Sequence, residues 1–180
     1  MVNAVPAFPT SAFKAYDIRG TVPDTLDSRF AHALGLALAR RAHAAGVTAL
    51  VVGRDGRASS LDLSLALQQG INDGGIDTLD IGEVPTPLVY YAAHVHRTGS
   101  GVAVTGSHNP PEYNGFKTMC GASTIHGEQI QEVLRMIQSK DFDSGSGSVE
   151  NVDAVTPYVE EIASQFRFKR RVKLVVDAGN

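Results

Sequence analysis

The stretch VTGSHNPPEYNGFK, residues 104–117, gathers the residue types that group-transfer chemistry needs. Ser107 stands between Gly106 and a His108-Asn109-Pro110-Pro111 turn, and Lys117 follows ten residues later, beyond Gly115. A serine hydroxyl in such a place can serve acyl transfer as a nucleophile, or it can carry a phosphoryl group. The acyl-transfer reading is disfavoured. A nucleophile elbow wants glycine two residues either side of the serine, and those places hold Thr105 and Asn109. His108 is also poorly placed as a base for its neighbour, because adjacent side chains in extended backbone diverge. A phosphoryl carrier needs cations and hydrogen-bond donors around a charge of about −1.5 to −2. Lys117, His108 and Asn109 are groups of the right kind. Spacing alone leaves a plain turn equally open, since Asn-Pro and Asn-Gly pairs are ordinary turn signals.

Two further clusters carry charge. In FKAYDIRG, residues 13–20, the planar guanidinium of Arg19 can grip two phosphate oxygens, or it can pair with Asp17 as a surface arginine. In VGRDGRASS, residues 52–60, Asp55 and Arg57 follow a strand-like run and Ser59 or Ser60 opens a helix. A helix N-terminus attracts anions, although capping is the more ordinary use of such serines. Other candidates carry less. His94 and His96 form an H-x-H pair without a third ligand nearby, and the single cysteine, Cys120, excludes an internal disulfide and has no zinc-like spacing around it. Dinucleotide and P-loop fingerprints are absent.

The elements that must position these residues alternate between strand and helix. Phe30, Leu34, Leu38 and Ala42 recur at helical spacing, with Asp27 or Ser28 to cap the start and Gly46 to close the end. Strand-like runs at 48–53, 76–82 and 99–105 are separated by helix-like runs at 61–73 and 88–97, the latter after the break VPTP. A short strand is expected at 116–119, then a helix presenting Ile130, Val133, Leu134 and Ile137 on one face. This order predicts an α/β fold, a three-layer α/β/α domain with a mixed, mostly parallel sheet. The Ser/Gly-rich run DFDSGSGSVE, residues 141–150, reads as a flexible connector. A domain at 1–150 is therefore expected, with 151–180 forming a linker helix, Pro157 in its first turn, and the first strand of a second similar domain. The chain reads as the front of a longer polypeptide.

Composition narrows the partners. The 180 residues carry a net charge of −3 with a pI near 6.0, which argues against a nucleic-acid or membrane-surface binder; the FKRR run at 168–171 reads as a solvated edge. No run approaches the about 20 apolar residues of a membrane span, and the N-terminus lacks a charged segment followed by an apolar core. A soluble, unprocessed, cytoplasmic protein that meets small molecules or other protein is expected.

Taken together, FKAYDIRG, VGRDGRASS, VPTP, TGSHNPPEYNGFK and the terminal VVDAGN resemble the α-D-phosphohexomutase family in order and separation, with the closest likeness to its phosphomannomutase/phosphoglucomutase branch. The resemblance spans residues 12–180 and implies that Ser107 is an active-site phosphoserine. It implies Lys117 as a general acid or base, Arg19 and Tyr16 at the mouth of the active site, and His108 and Asn109 flanking the phosphoserine. Gly106 stands where many members have alanine, although this branch often has glycine. The implied reaction interconverts hexose 6-phosphate and hexose 1-phosphate, of mannose or glucose, through a 1,6-bisphosphate. The implied cofactor is Mg²⁺, with Ser107 as one ligand through its phosphate and the rest from a D-G-D-x-D-R loop. No D-x-D-x-D occurs in these 180 residues, so the missing ligands, and the sugar-binding loops, are expected on later domains of the same polypeptide. The piece alone is then expected to lack turnover. Phosphoglucosamine mutase is the runner-up within the family, and a non-catalytic phosphosugar-binding module is the alternative outside it.

Overall fold

A computed structural model describes residues 8–177. The first seven residues, on which the reading of an unprocessed N-terminus partly rests, and 178–180 lie outside them. Strand β1 (Ile18–Thr21) precedes helix α1 (Ser28–Ala44), and then β2 (Ala49–Arg54), α2 (Ser60–Asp73), β3 (Asp77–Glu83), α3 (Thr86–Val95) and β4 (Gly101–Val104) alternate. After them come β5 (Tyr113–Cys120), β6 (Ser123–Thr124), α4 (Glu128–Ser139), β7 (Val149–Asn151) and α5 (Val155–Ser164). The described strands form one seven-stranded mixed sheet in the order β1-β5-β4-β2-β3-β7, with β6 paired to β5. The β4-β2-β3-β7 portion is parallel, and β5 runs antiparallel to β1, β4 and β6. The expected mixed α/β/α domain is borne out, with its antiparallel share at the β1/β5/β6 end.

Local rules account for most boundaries. Asp27 caps α1, its carboxylate accepting from the Phe30 amide at 2.8 Å, and Gly46 closes the helix at φ +68°. One face of the sheet and helices α1, α2 and α4 share a core that includes Phe30, Leu34, Leu38, Leu67, Phe116, Ile130 and Val133. The opposite face is covered by α3 and the start of α5, around Val51, Ala103, Ile81, Val89 and Ala154. Successive strand residues point to opposite faces, so Val51 and Val52, or Ala103 and Val104, divide between the two cores.

One expectation fails for an identifiable reason. The 141–150 run is not a loose connector. Its Gly145 and Gly147 amides donate to Asp73 and Asn72 carbonyls, and Ser148 is held by Asp77. A Cβ on Gly147 would lie 2.1 Å from the Ile76 carbonyl oxygen, so glycine there permits close backbone approach rather than flexibility. The run then enters β7, which straddles residue 150. Over 171–177, part of the run expected as the first strand of a second domain, no strand is formed; a strand forms only beside a neighbour that satisfies its backbone groups.

Candidate functional site

The parallel part of the sheet places two loops together. The chain leaves β2 through α2 to β3 on one side, then returns through α3 to β4 on the other side of β2. The C-terminal ends of β2 and β4 therefore flank a topological switch point, where open α/β sheets form their ligand crevices. The loop after β2 carries Asp55 and Arg57; the loop after β4 carries Ser107, His108 and Asn109. They meet through the register Arg54↔Val104 and the Asp55 amide, which donates to the Val104 carbonyl at 2.9 Å.

Asp55 is the hub. One carboxylate oxygen accepts from the Arg57 amide and the Ser60 hydroxyl, and the other from the Thr105 hydroxyl at 2.9 Å and the Gly106 amide at 3.0 Å. Burial would raise its pKa, but the hydrogen bonds from Ser60, the Arg57 amide, Thr105 and the Gly106 amide outweigh it and hold the carboxyl below the ordinary carboxylate value. The fully buried Asn114 donates to the hydroxyls of both Ser59 and Ser60 at 2.9 Å. These serines do not make the expected cap: α2 begins at Ser60 without a side-chain capping hydrogen bond from Ser59. They tie α2 and β5 to Asp55 instead.

Ser107 projects from this frame. Its φ is +53°, a left-handed conformation that costs a non-glycine residue about 1–2 kcal/mol and marks sites where surrounding contacts over-determine the backbone. The contacts are present: the Ser107 amide donates to Thr105 Oγ1 at 2.9 Å, and the Asn109 amide and side chain both donate to the Gly106 carbonyl. The hydroxyl is exposed, and its contact is His108 Nδ1 at 3.5 Å. Adjacent side chains diverge in extended backbone, but with Ser107 at φ +53° the side chains of Ser107 and His108 approach each other instead.

The remaining expected residues arrive by strand register. Lys117 pairs with Ala103, Arg19 pairs with Gly115, and the Thr105 amide donates to the Gly115 carbonyl. Directly opposed residues share a face and so do residues two apart; Arg19, Lys117 and Thr105 therefore lie on one face of the sheet. Among the described residues Lys117, half-buried, has no ion-pair or hydrogen-bond partner. Arg19 does realise the bland alternative, with Nε 3.5 Å from an Asp17 carboxylate oxygen while the side chain stays 40% exposed. Tyr16 is exposed in the turn before β1. A small cavity of about 210 Å³, lined by Lys14, Arg19, Thr21, Thr25 and Tyr113 among others, sits beside this cationic edge. A larger, mainly apolar cavity between α1, α2 and α4 offers nothing to phosphoryl chemistry.

The residue that sequence reasoning left without a role is Arg57. Its guanidinium reaches the carbonyls of Ser107, Asn109, Pro110 and Tyr113 at 2.6–3.1 Å. No spacing rule links residues 50 apart, so only the fold exposes this contact.

The residues present do not make a magnesium site by themselves. No group of three His, Cys, Asp or Glu side chains comes together among the described residues, and the carboxylate of Asp55, which holds the Ser107 loop, has both oxygens occupied by donors. Magnesium wants about six oxygens in near-octahedral array. Nor is any helix of the described residues long and apolar enough to cross a membrane.

Residues 10–144 match the family described as "Phosphoglucomutase/phosphomannomutase, alpha/beta/alpha domain I". The chain is 46% identical over 175 residues to a phosphomannomutase/phosphoglucomutase of Pseudomonas aeruginosa, covering 97% of this chain and 38% of that protein. It is 45% identical over 170 residues to a phosphoglucomutase of Neisseria meningitidis, covering 93% of this chain and 37% of that one. The crystal structure of a phosphoglucomutase/phosphomannomutase family protein from Burkholderia thailandensis superimposes with a TM-score of 0.87 at 42% identity, covering 91% of this chain and 37% of the other. The chain thus spans less than two fifths of the length of these relatives.

Proposed function

From the premise that the chain belongs to the phosphoglucomutase/phosphomannomutase family, we propose that it is the phosphoserine-bearing part of an isomerase. The complete protein interconverts hexose 6-phosphate and hexose 1-phosphate of mannose or glucose. The observation that carries the reading is Ser107: an exposed hydroxyl held in left-handed backbone at the switch point of the sheet, on the loop after β4, beside the β5–β1 pair that carries Lys117 and Arg19.

In the proposed reaction the phosphate on Ser107 passes to a free hydroxyl of the sugar monophosphate. The bond between phosphorus and Ser107 Oγ breaks, a bond to the sugar oxygen forms, and the hydroxyl proton goes to a base, for which Lys117 is the candidate. The 1,6-bisphosphate then presents its other phosphate, which returns to Ser107 Oγ as the freed sugar oxygen takes a proton. His108, with Nδ1 3.5 Å from Ser107 Oγ, shares a hydrogen bond with the serine oxygen, Arg19 attracts the anionic substrate with Tyr16 beside it, and Asn109 holds the loop. If Mg²⁺ serves, this chain gives it one oxygen, on phosphorylated Ser107; its other ligands belong to later domains of the same polypeptide, as do the sugar contacts. The domain boundary near residue 150 is part of the same reading, and a cytoplasmic location is expected with it.

A steady-state assay with glucose 1-phosphate and mannose 1-phosphate tests this. The full-length protein turns over, its Ser107→Ala variant loses at least about a thousandfold, and residues 1–180 alone show no turnover. Undiminished turnover by Ser107→Ala defeats the reading; glucosamine phosphate as the sole substrate, or no turnover by the full-length protein, points to the other branch or to a binding module.

A further inference from the structure

We propose that Arg57 is the positioning residue of the Ser107 loop: it turns the loop's carbonyl oxygens inward, and Gly106 makes the space in which it does so. The proposal rests on the reading of Ser107 as the phosphoryl carrier. A guanidinium has five N–H groups in a fixed planar fork. Here Nη1 donates to the Pro110 and Tyr113 carbonyls at 2.6 and 3.1 Å, and Nη2 donates to the Ser107 and Asn109 carbonyls at 3.1 and 2.7 Å. Nε lies 3.3 Å from Asp55 Oδ2. All four Nη donors are thereby matched to carbonyls of the Ser107 loop and its junction with β5, and Nε lies against the hub carboxylate. This separates Arg57 from Arg19 in kind: it acts through the loop rather than on the substrate.

The consequence is electrostatic as well as geometric. A carbonyl oxygen is the negative end of its dipole, and three of these lie within the loop that carries Ser107, with the fourth, that of Tyr113, at the start of β5. Left free, they would face the phosphate dianion at some part of their motion and oppose it. Gathered on one cation, they point away from it. Gly106 is part of the device. A Cβ there would lie 2.2 Å from Arg57 Nε and 2.3 Å from Cζ, so the guanidinium occupies the volume that a side chain at 106 would fill. Asp55 completes it, binding the Thr105 hydroxyl and the Gly106 amide as well as the Arg57 amide.

The test uses the full-length protein, phosphorylated in advance with a hexose 1,6-bisphosphate, in single-turnover transfer to glucose 1-phosphate followed by rapid quench and intact mass. Arg57→Lys and Arg57→Ala are compared with wild type, alongside melting temperature and KM. A misplaced serine predicts transfer slowed about 100-fold in both variants, with KM changed by no more than about threefold. Lysine fails to rescue because a single ammonium cannot serve four carbonyls, whereas added guanidinium restores part of the rate to Arg57→Ala and none to Arg57→Lys. Arg57→Lys keeps the charge, so it reports even if Arg57→Ala does not fold. A variant with a lowered melting temperature and wild-type transfer, measured below that temperature, overturns the proposal. Wild-type protein that neither acquires nor transfers phosphate on Ser107 overturns instead the reading on which it rests.

Discussion

Replacing Gly106 with alanine adds one methyl group where the structure has a guanidinium. The new Cβ would stand 2.2 Å from Arg57 Nε, 2.3 Å from Cζ and 2.7 Å from the Tyr113 carbonyl oxygen. An arginine end group ordinarily swings aside at small cost, but this one is pinned by four carbonyls and is only 18% exposed. Overpacking costs about 1–3 kcal/mol, and hydrogen bonds to a charged group contribute about 1.5–3 kcal/mol each when they cannot be replaced by water. Water will recover part of these at a half-open loop, so a net loss of about 2–3 kcal/mol is expected. With a urea m-value of about 2 kcal/mol/M, the unfolding midpoint falls by about 1 M. The decisive comparison is a double-mutant cycle with Arg57→Ala. Removing the guanidinium first takes away the two nearest contacts and leaves the Tyr113 carbonyl, so Gly106→Ala in that background should cost about 1 kcal/mol, and the two substitutions should couple by about 1–2 kcal/mol. A loss under about 0.5 kcal/mol, or the same loss with and without Arg57, refutes the claim that the guanidinium fills the glycine's space.

Two further outcomes follow from the same geometry. Asp55→Asn removes a carboxylate whose native pKa lies below its unfolded value; its stabilisation is complete above the unfolded value of about 3.9 and is lost as pH falls through the lower native one. The stability gap between wild type and variant in denaturant titrations should therefore be largest near neutrality and close in acid; a gap independent of pH would count against the hub role. Phe116→Ala, at a buried ring stacked on Phe30 at 6.3 Å, should destabilise by about 3–5 kcal/mol in urea unfolding, and a loss below about 1 kcal/mol would show that the core on that face is not packed as described.

The alternation of strands and helices was legible because it rests on local periodicity: Phe30 and Leu34 on α1, or Ile130 and Val133 on α4, declare their faces in the sequence. Ser107, Lys117 and Arg19 were legible as chemistry, and the family resemblance assigned their roles. Three features were not legible. The Ser/Gly run at 141–150 has the composition of a linker, yet glycines also suit close backbone approach, and only the tertiary contacts of Gly147 decide between the two. Ser59 and Ser60 look like caps because capping is a local rule, whereas their partners Asn114 and Asp55 come from other strands. His108 reads as misplaced on extended backbone, whereas Ser107 takes a positive φ in a loop held both locally, by Thr105 and Asn109, and by Arg57, 50 positions away. Register and long-range hydrogen bonds thus supply what periodicity leaves out.

Whether Ser107 carries the phosphoryl group is decided by peptide mass mapping of the full-length protein. After incubation with a hexose 1,6-bisphosphate, one phosphate is expected on the peptide containing Ser107, lost on adding hexose monophosphate and absent in Ser107→Ala. Phosphate residing on another residue, or a Ser107→Ala protein that still exchanges it, would rule out Ser107 as the carrier.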